Sequence, residues 1–347
     1  MASSPITNNA AWLISPKASP FKVEPAPAWE PEADEILVRN RAVAINPVDG
    51  TMQALAWFPL TYPAILGHDV AGEVVAVGPN VSRFKAGDRV IGHCVGMSTK
   101  RNSDYAFQNL SIVRANMAAP LPDNIPYDQG AVIPLGCSTA AAGLFQDGFL
   151  ELDLPTTPAR TPSSGKTLLV WGASSSVGCN VVQLAVAAGY KVMATASPKN
   201  FGYLKQLGAS EVFDRNSATI REELLAALKT KTLVGAFDCI GAEGWDICLD
   251  VVGRSQDVSK RSVVTVSGGH PQAPEGVTIK QMFSTTIKDN AVGKAIYEDF
   301  LPAALQVGAF VPAPEPLVVG QGLDSVQVAV DRYRKGGLSA QKLVVLL

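Results

Sequence analysis

The chain has 347 residues, a length that suggests two domains or one large one, and 47% of them are apolar, enough for sizeable cores. Its 29 Lys and Arg against 31 Asp and Glu leave it near neutral, and no basic patch interleaved with aromatics speaks for nucleic acid. No apolar run spans a bilayer, no charged lead with a long apolar core opens the chain, and five scattered cysteines (Cys94, Cys137, Cys179, Cys239, Cys248) form no C-x-x-C pair. The expectation is a cytoplasmic protein of a reducing compartment, without membrane or nucleic-acid partners.

Residues 11–45 alternate apolar and polar around Pro-rich turns, which predicts strands at 36–38 and 42–45. Asn46-Pro47-Val48-Asp49 then reads as a turn. A loop with Trp57, Phe58 and Tyr62 leads into the glycine-punctuated β segment Ile65 to Gly78 and the turn-strand Phe84 to Val90. Such segments build a compact barrel-like domain. Leu121 to Gly143 reads as the crossing between domains, with a helix from the hydroxyl pair Ser138-Thr139, a capping signal, through Phe145. Leu154 to Lys166, rich in Pro, Ser and Thr, reads as a mobile surface insert.

The most informative stretch is Thr167 to Gly189. Leu168 to Trp171 reads as a short buried strand, Gly172 to Ser176 as a small-residue turn, and Val177, Val181, Leu184, Ala185 and Ala188 as one face of a helix. Small residues let backbone approach a pyrophosphate, and the free N–H groups of a helix start favour its charge. In the GxGxxG register the three positions hold Ala173, Ser175 and Gly178, so the fingerprint alone is weak. A second strand, Tyr190 to Ala196, completes the βαβ unit it requires. An NAD site wants an Asp or Glu after that strand; none stands between Lys191 and Tyr203. Ser197, Lys199 and Asn200 stand there instead, and Arg215 follows the next strand. Each cation alone could be an ordinary solvated charge. Together, with the acid absent, they suit a 2′-phosphate, and NADPH is the expected cofactor, held also by Ser174, Ser175, Ser176 and Val177.

Helices at 201–207, 218–228 and 245–252 alternate with strands at 211–213 and 262–266 and with Val234 to Gly241, a strand into a tight turn, the pattern of a parallel sheet. Ligands bind at the carboxyl ends of such strands, so Gly241, Val266 and Ser267 face the cofactor region. His270 lies in a Pro/Gly loop and reads as a surface residue. A helix over 291–305, a Pro-rich return, a helix over 323–335 and a final strand over 342–346 complete the chain.

The blocks AVAINPVD, LGHDVAGEVVAVG, FKAGDRV, LGCSTAAAGLF, LLVWGASSSVG, ASPKNFGYLKQLGASEVFD and GGLSAQKLVVLL resemble those of the medium-chain dehydrogenase/reductases, over nearly the whole chain. The resemblance is strongest to zinc-free quinone oxidoreductases and fungal trans-acting enoyl reductases of secondary metabolism. It implies an α/β protein: a GroES-like β-rich catalytic domain over 1–134 and 311–347, and a Rossmann doubly wound parallel sheet over 135–310. It adds Val48, Asp49, Gly50, Thr51, Thr139, Gly337 and Leu338 to the cofactor-binding residues, and it places Met282 and Phe283 to Lys288 at an apolar substrate pocket, where ordinary interface packing is the equal alternative.

In zinc-dependent relatives the first ligand is a Cys where this chain has Asn46, and the second is the His that corresponds to His68. The third is a Cys several residues before the Ser-Thr pair, where this chain has only the adjacent Cys137. One ligand position of three is kept, and one cysteine, Cys94, stands between Ile91 and Arg114 where a structural zinc would need four. The expectation is no metal; a reduced site of His68 with Asp69 or Cys94 is the alternative. Without a Lewis acid a simple carbonyl is hard to reduce, whereas a C=C conjugated to one needs only a hold on the enolate oxygen. The substrate is therefore expected to be an enone, quinone or enoyl thioester, free or carrier-tethered. Asp49 and Thr51 are the catalytic candidates; Thr51 stands where relatives often carry a Lys, and Tyr105 offers a second hydroxyl. The alternatives are a trans-acting enoyl reductase of a polyketide pathway and a non-catalytic NADPH-binding sensor or scaffold. The resemblance suggests a monomer or homodimer.

Overall fold

A computed structural model describes residues 7–161 and 165–347. The start of the chain and the centre of the 154–166 insert lie outside the described residues. The chain divides into two compact units, one made of the residues up to Leu135 with Glu315–Leu347, the other of Gly136–Pro314.

The first unit runs β1 (Asn8–Leu13), β2 (Lys22–Ala26), β3 (Glu35–Ala44), α1 (Pro47–Leu55), β4 (Ala64–Ile65), β5 (Asp69–Val77), β6 (Arg89–His93), α2 (Gly96–Thr99), β7 (Leu110–Arg114), β8 (Ala118–Pro120) and α3 (Tyr127–Ala131). The chain leaves it through α4 (Pro134–Phe145) and returns as β15 (Glu315–Gln321), α11 (Ser325–Arg334) and β16 (Gln341–Leu346). A seven-stranded sheet has the order β15-β16-β3-β5-β6-β8, with β7 also on β3, and a smaller sheet pairs β2-β1-β4. The two segments expected at 36–38 and 42–45 are one strand, β3, whose register on β5 shifts between Leu37 and Val38 and again between Asn40 and Ala42. At the second shift Asn40 Nδ2 lies within donating distance of Ala106 O, Gln108 O and Ser111 Oγ, so the donor side of this polar interruption is met inside the core, while its Oδ1 has no partner among the described residues. Ile36, Val38, Ile65, Leu66, Val70, Phe107 and Val330 are buried around it.

Asn46 to Asp49 is not the expected turn but the start of α1. Asn46 is an extended N-cap, Pro47 fills N1, and Asp49 at N3 reaches back to accept the Asn46 N–H at 2.7 Å. Proline's fixed φ and its missing N–H suit the first helical position, so N-P reads equally as a helix entry.

The second unit continues from α4 through β9 (Lys166–Trp171), α5 (Ser176–Ala187), β10 (Lys191–Ala196), α6 (Phe201–Gln206), β11 (Glu211–Asp214), α7 (Ile220–Leu228), β12 (Thr232–Asp238), α8 (Ala242–Arg254), β13 (Ser262–Thr265) and β14 (Thr278–Gln281). Its last helical stretch comprises α9 (Ala291–Lys294), a π-turn over 295–300 and α10 (Leu301–Gln306). All neighbours in its six-stranded sheet are parallel, in the order β11-β10-β9-β12-β13-β14. Numbered within the sheet this is 3-2-1-4-5-6, the doubly wound dinucleotide-binding order, and its topological switch point lies between β9 and β12. β9 is apolar and buried from Leu168 to Trp171 because helices cover both faces of such a sheet. The edge strand β14, TIKQ, is polar and half exposed, which is why periodicity did not reveal it.

Two other expectations change here. Ser138 and Thr139 lie inside α4, which begins at Pro134, so they do not cap it; Ser138 Oγ instead pairs with Tyr297 Oη at 2.7 Å. The single helix expected over 291–305 widens into a π-turn before Pro302, whose missing N–H removes one rung of an α ladder. The described part of the 154–166 insert is tied down, with the N–H groups of Thr156 and Arg160 donating to Ala187 O and Arg160 Nε to Leu154 O.

Candidate functional site

The cradle forms at the carboxyl ends of β9, β10 and β11. Gly172 N donates to Thr195 Oγ1 at 3.1 Å and Ala173 N to Thr195 O at 3.0 Å, which pins the turn after β9 to β10. Ser175 is the N-cap of α5 and its Oγ accepts from Gly178 N at 3.1 Å. That leaves the N–H groups of Ser176 and Val177, which no helical ladder can satisfy, for a ligand. A Cβ on Gly178 would fall 2.6 Å from Gly172 O and from the Ala173 backbone, so only glycine lets the helix sit this close to the turn. That is the packing role the third fingerprint glycine plays, here without the other two.

Asn200 reaches this turn from the end of β10, and Arg215, at the end of β11, is tied to the end of β10. Asn200 Nδ2 donates to Ser174 Oγ at 3.1 Å, and Arg215 N donates to Ala196 O at 3.1 Å. Ser197 precedes the short turn Pro198–Asn200, and Lys199 on that turn is exposed. The Arg215 guanidinium is half buried; its Nε lacks a hydrogen-bond partner among the described residues, and its Nη1 lies 3.7 Å from Glu243 Oε2. A buried guanidinium N–H with no acceptor and no acid after β10 fit a phosphate ester better than a free 2′-hydroxyl. Val266 N donates to Asp238 O at 3.2 Å and Ser267 N to Thr265 Oγ1 at 3.2 Å, both at the carboxyl end of β13. Thr139 lies within α4 and is largely buried.

The remaining candidates belong to the first unit. Val48, Asp49, Gly50 and Thr51 are consecutive on α1; a Cβ on Gly50 would meet Val330, Tyr333 and Arg334 of α11 at ordinary contact distances. Gly337 and Leu338 follow α11. Asp49 is fully buried, with Oδ2 on the Asn46 N–H and Oδ1 2.8 Å from His68 Nδ1. Thr51 is exposed; its Oγ1 donates to Val48 O at 3.1 Å and accepts from Trp57 Nε1 at 3.3 Å.

Behind Asp49 lies a buried polar cluster that sequence reasoning reached only in part. Lys342 on β16 is almost wholly buried, with Nζ 2.6 Å from Asp69 Oδ2 and 3.1 Å from Val132 O. Asp69 also accepts from Asn46 Nδ2 at 2.7 Å and from Leu135 N at 2.5 Å. The Tyr105 ring stands edge-on to His68, centroids 5.7 Å apart, and neither Tyr105 Oη nor His68 Nε2 has a hydrogen-bond partner among the described residues. Burial pushes the Tyr105 phenol up, with Asp49 and Asp104 adding to it. Burial and then the neighbouring His68 push His93 down to about 3, with Lys342 adding and Asp69 opposing. Lys342 was legible only as the first residue of the expected final strand, and Asp238 only as a member of the strand and turn expected from Val234 to Gly241. Among the described residues no three or more His, Cys, Asp or Glu side chains are grouped so that they could hold a metal ion. No described helix is long and apolar enough to cross a membrane.

Comparison with known proteins agrees with this architecture. Residues 32–123 match the alcohol dehydrogenase GroES-like domain and residues 176–302 the zinc-binding dehydrogenase domain. The chain is 56% identical to the zinc-binding alcohol dehydrogenase domain-containing protein cipB of Emericella nidulans, over 99% of both chains. It is 38% identical to the trans-enoyl reductase himH of Aspergillus japonicus, over 98% of this chain and 97% of that one. Among solved structures, the Escherichia coli quinone oxidoreductase complexed with NADPH superposes with a TM-score of 0.71 at 20% identity, over 99% of this chain and 100% of the other.

Proposed function

The chain belongs to the medium-chain dehydrogenase/reductase superfamily, and on that premise we propose that this oxidoreductase uses NADPH to reduce a C=C bond conjugated to a carbonyl, without zinc. The observation that carries the cofactor assignment is Arg215, whose buried Nε has no hydrogen-bond partner among the described residues, beside a strand end that offers Lys199 and Asn200 and no acid. When bound, NADPH would supply the hydride. The N–H groups of Ser176 and Val177 hold the pyrophosphate, Ser174 and Asn200 close the turn around it, and Lys199 and Arg215 take the 2′-phosphate. The quinone oxidoreductase named above was crystallised with NADPH, which supports the same choice.

The residues of the first unit do not fit a catalytic zinc. Asn46 stands at the first ligand position, and its Nδ2 donates to Asp69 rather than offering a thiolate. Asp69 is already engaged by Asn46, Leu135 N and the Lys342 ammonium, whose charge would repel a second cation. The Cys137 and Cys94 thiols are pushed well up by burial, so neither is prepared as a ligand. Asp49 works through what it holds: it fixes the first turn of α1 and orients His68. Thr51, two residues on and exposed, offers the substrate's developing enolate oxygen a hydroxyl once that hydroxyl leaves Val48 O. A conjugated acceptor needs no stronger polarisation than this.

The similarity to himH, named a trans-enoyl reductase, favours an enoyl thioester as the acceptor, and on a carrier protein in particular. The experiment that tests the cofactor assignment is a fluorescence titration of the wild type and of Lys199→Ala/Arg215→Ala with NADPH and NADH. Charge-assisted hydrogen bonds contribute about 1.5–3 kcal/mol each, so NADPH binding weakens by about 10-fold or more per contact while NADH changes little. Equal weakening of both cofactors would overturn the 2′-phosphate pocket.

A further inference from the structure

We infer that Asp238 is a positioning residue for the nicotinamide half of the cofactor, acting as a carboxylate latch that ties the loop after β12 to the loop after β13. The inference rests on the dinucleotide reading above. With Lys199 and Arg215 at the ends of β10 and β11 taking the adenosine phosphate, the other mononucleotide of the doubly wound sheet falls to the ends of β12 and β13.

Asp238 is the last residue of β12, on the switch-point side of the crevice, and it is fully buried. Its Oδ1 accepts from Ile240 N at 3.0 Å and Gly241 N at 3.1 Å; its Oδ2 accepts from Gly241 N at 3.0 Å and Thr265 Oγ1 at 2.7 Å. Thr265 ends β13, and having given its one proton to Asp238 it accepts from Trp245 Nε1 at 3.0 Å and Ser267 N at 3.2 Å. One carboxylate and one hydroxyl therefore hold Ile240, Gly241, Trp245 and Ser267 in a single arrangement.

Every bond to Asp238 is one it accepts, so both ends of the side chain must be acceptors. An asparagine would set an NH2 against a backbone N–H, or force Thr265 to reverse its hydroxyl and give up either Trp245 or Ser267. Burial pushes the carboxyl up, and the donors from Thr265, Ile240 and Gly241 oppose that. The loop it fixes is tight. Gly241 has φ +109°, and a Cβ there would fall 2.7 Å from Ser267 Oγ. Ile240 packs against the turn after β9, its Cγ1 2.2 Å from where a Cβ on Gly172 would stand. The two loops of the switch point thus touch, and Asp238 sets the position of one of them. A fold-only explanation needs a capped turn and no more; it does not need the second loop bonded to the same carboxylate through Thr265.

Two ligands that share the adenosine end separate this role from a general loss of structure. NADPH and adenosine 2′,5′-bisphosphate are titrated into the wild type, Asp238→Asn, Thr265→Val and Thr265→Ser. The expected result is that Asp238→Asn and Thr265→Val weaken NADPH by 10-fold or more and leave adenosine 2′,5′-bisphosphate within two-fold, while Thr265→Ser, which keeps the hydroxyl, restores NADPH. If Asp238→Asn does not fold, the Thr265 pair carries the comparison. Equal weakening of both ligands, or of neither, overturns the positioning role while the cofactor pocket stands. Failure of the wild type to bind either ligand overturns the cofactor reading and this inference with it.

Discussion

Replacing Lys342 by Met tests the buried cluster of the first unit. The Lys342 and Asp69 side chains are 3% and 0% exposed and meet at 2.6 Å, so solvent does not screen them. The substitution keeps the apolar stem and removes the ammonium, with its contact to Asp69 and its hydrogen bond to Val132 O. It strands the Asp69 carboxylate, still held by Asn46 Nδ2 and Leu135 N, without its counter-ion. Breaking a buried pair from one side costs about 3–5 kcal/mol. For a domain of roughly 150–250 residues each kcal/mol lowers the midpoint by about 2–4 °C, so the transition should fall by about 6–20 °C. Adding Asp69→Asn removes the stranded charge and should recover more than half of the loss, since a buried ion pair taken out whole is often nearly neutral. Scanning calorimetry of wild type, single and double variants at neutral pH reads this directly. A single-variant cost under about 1 kcal/mol, the range of exposed pairs, would refute the reasoning.

Three further outcomes are expected. Glu243→Gln removes the carboxylate 3.7 Å from Arg215, an exposed partner that competes with a 2′-phosphate; NADPH should bind a few-fold tighter with NADH unchanged, checked by titration. His93 is held neutral, about 3 in the fold against about 6.5 when unfolded, so below pH 6.5 the unfolded chain takes up a proton the fold refuses. Its contribution is intact above that range and is lost as pH falls, by about 1.4 kcal/mol per pH unit; denaturation midpoints of His93→Gln should depend less on pH between 6 and 4 than those of the wild type, and parallel curves would count against this. Protein purified without chelator should carry substoichiometric zinc by elemental analysis, and one tightly held zinc per chain would overturn the charge argument at Asp69.

The fold was largely legible, and the site unevenly so. The LLVW run and the period of Val177 to Ala188 can be met in few ways by a chain that must bury both faces of a parallel strand, so the βαβ unit was visible although two fingerprint glycines are absent. Asn46-Pro47 misled because the same dipeptide serves a turn and a helix entry, and only the return bond from Asp49 decides between them. Ser138-Thr139 misled because local capping chemistry says nothing of a helix that starts four residues earlier. Lys342 and Asp238 were out of reach. Their roles come from partners far along the chain, Asp69 for Lys342 and Thr265 for Asp238, and no local pattern records such pairings.

The most direct test of the central claim is oxidation of NADPH by the purified protein against an enal, an enone, a quinone, an enoyl thioester and a saturated aldehyde, with NADH in parallel. Turnover confined to the conjugated acceptors, and faster with NADPH, is the predicted result. Reduction of the saturated aldehyde would contradict the account and return attention to His68 and a metal.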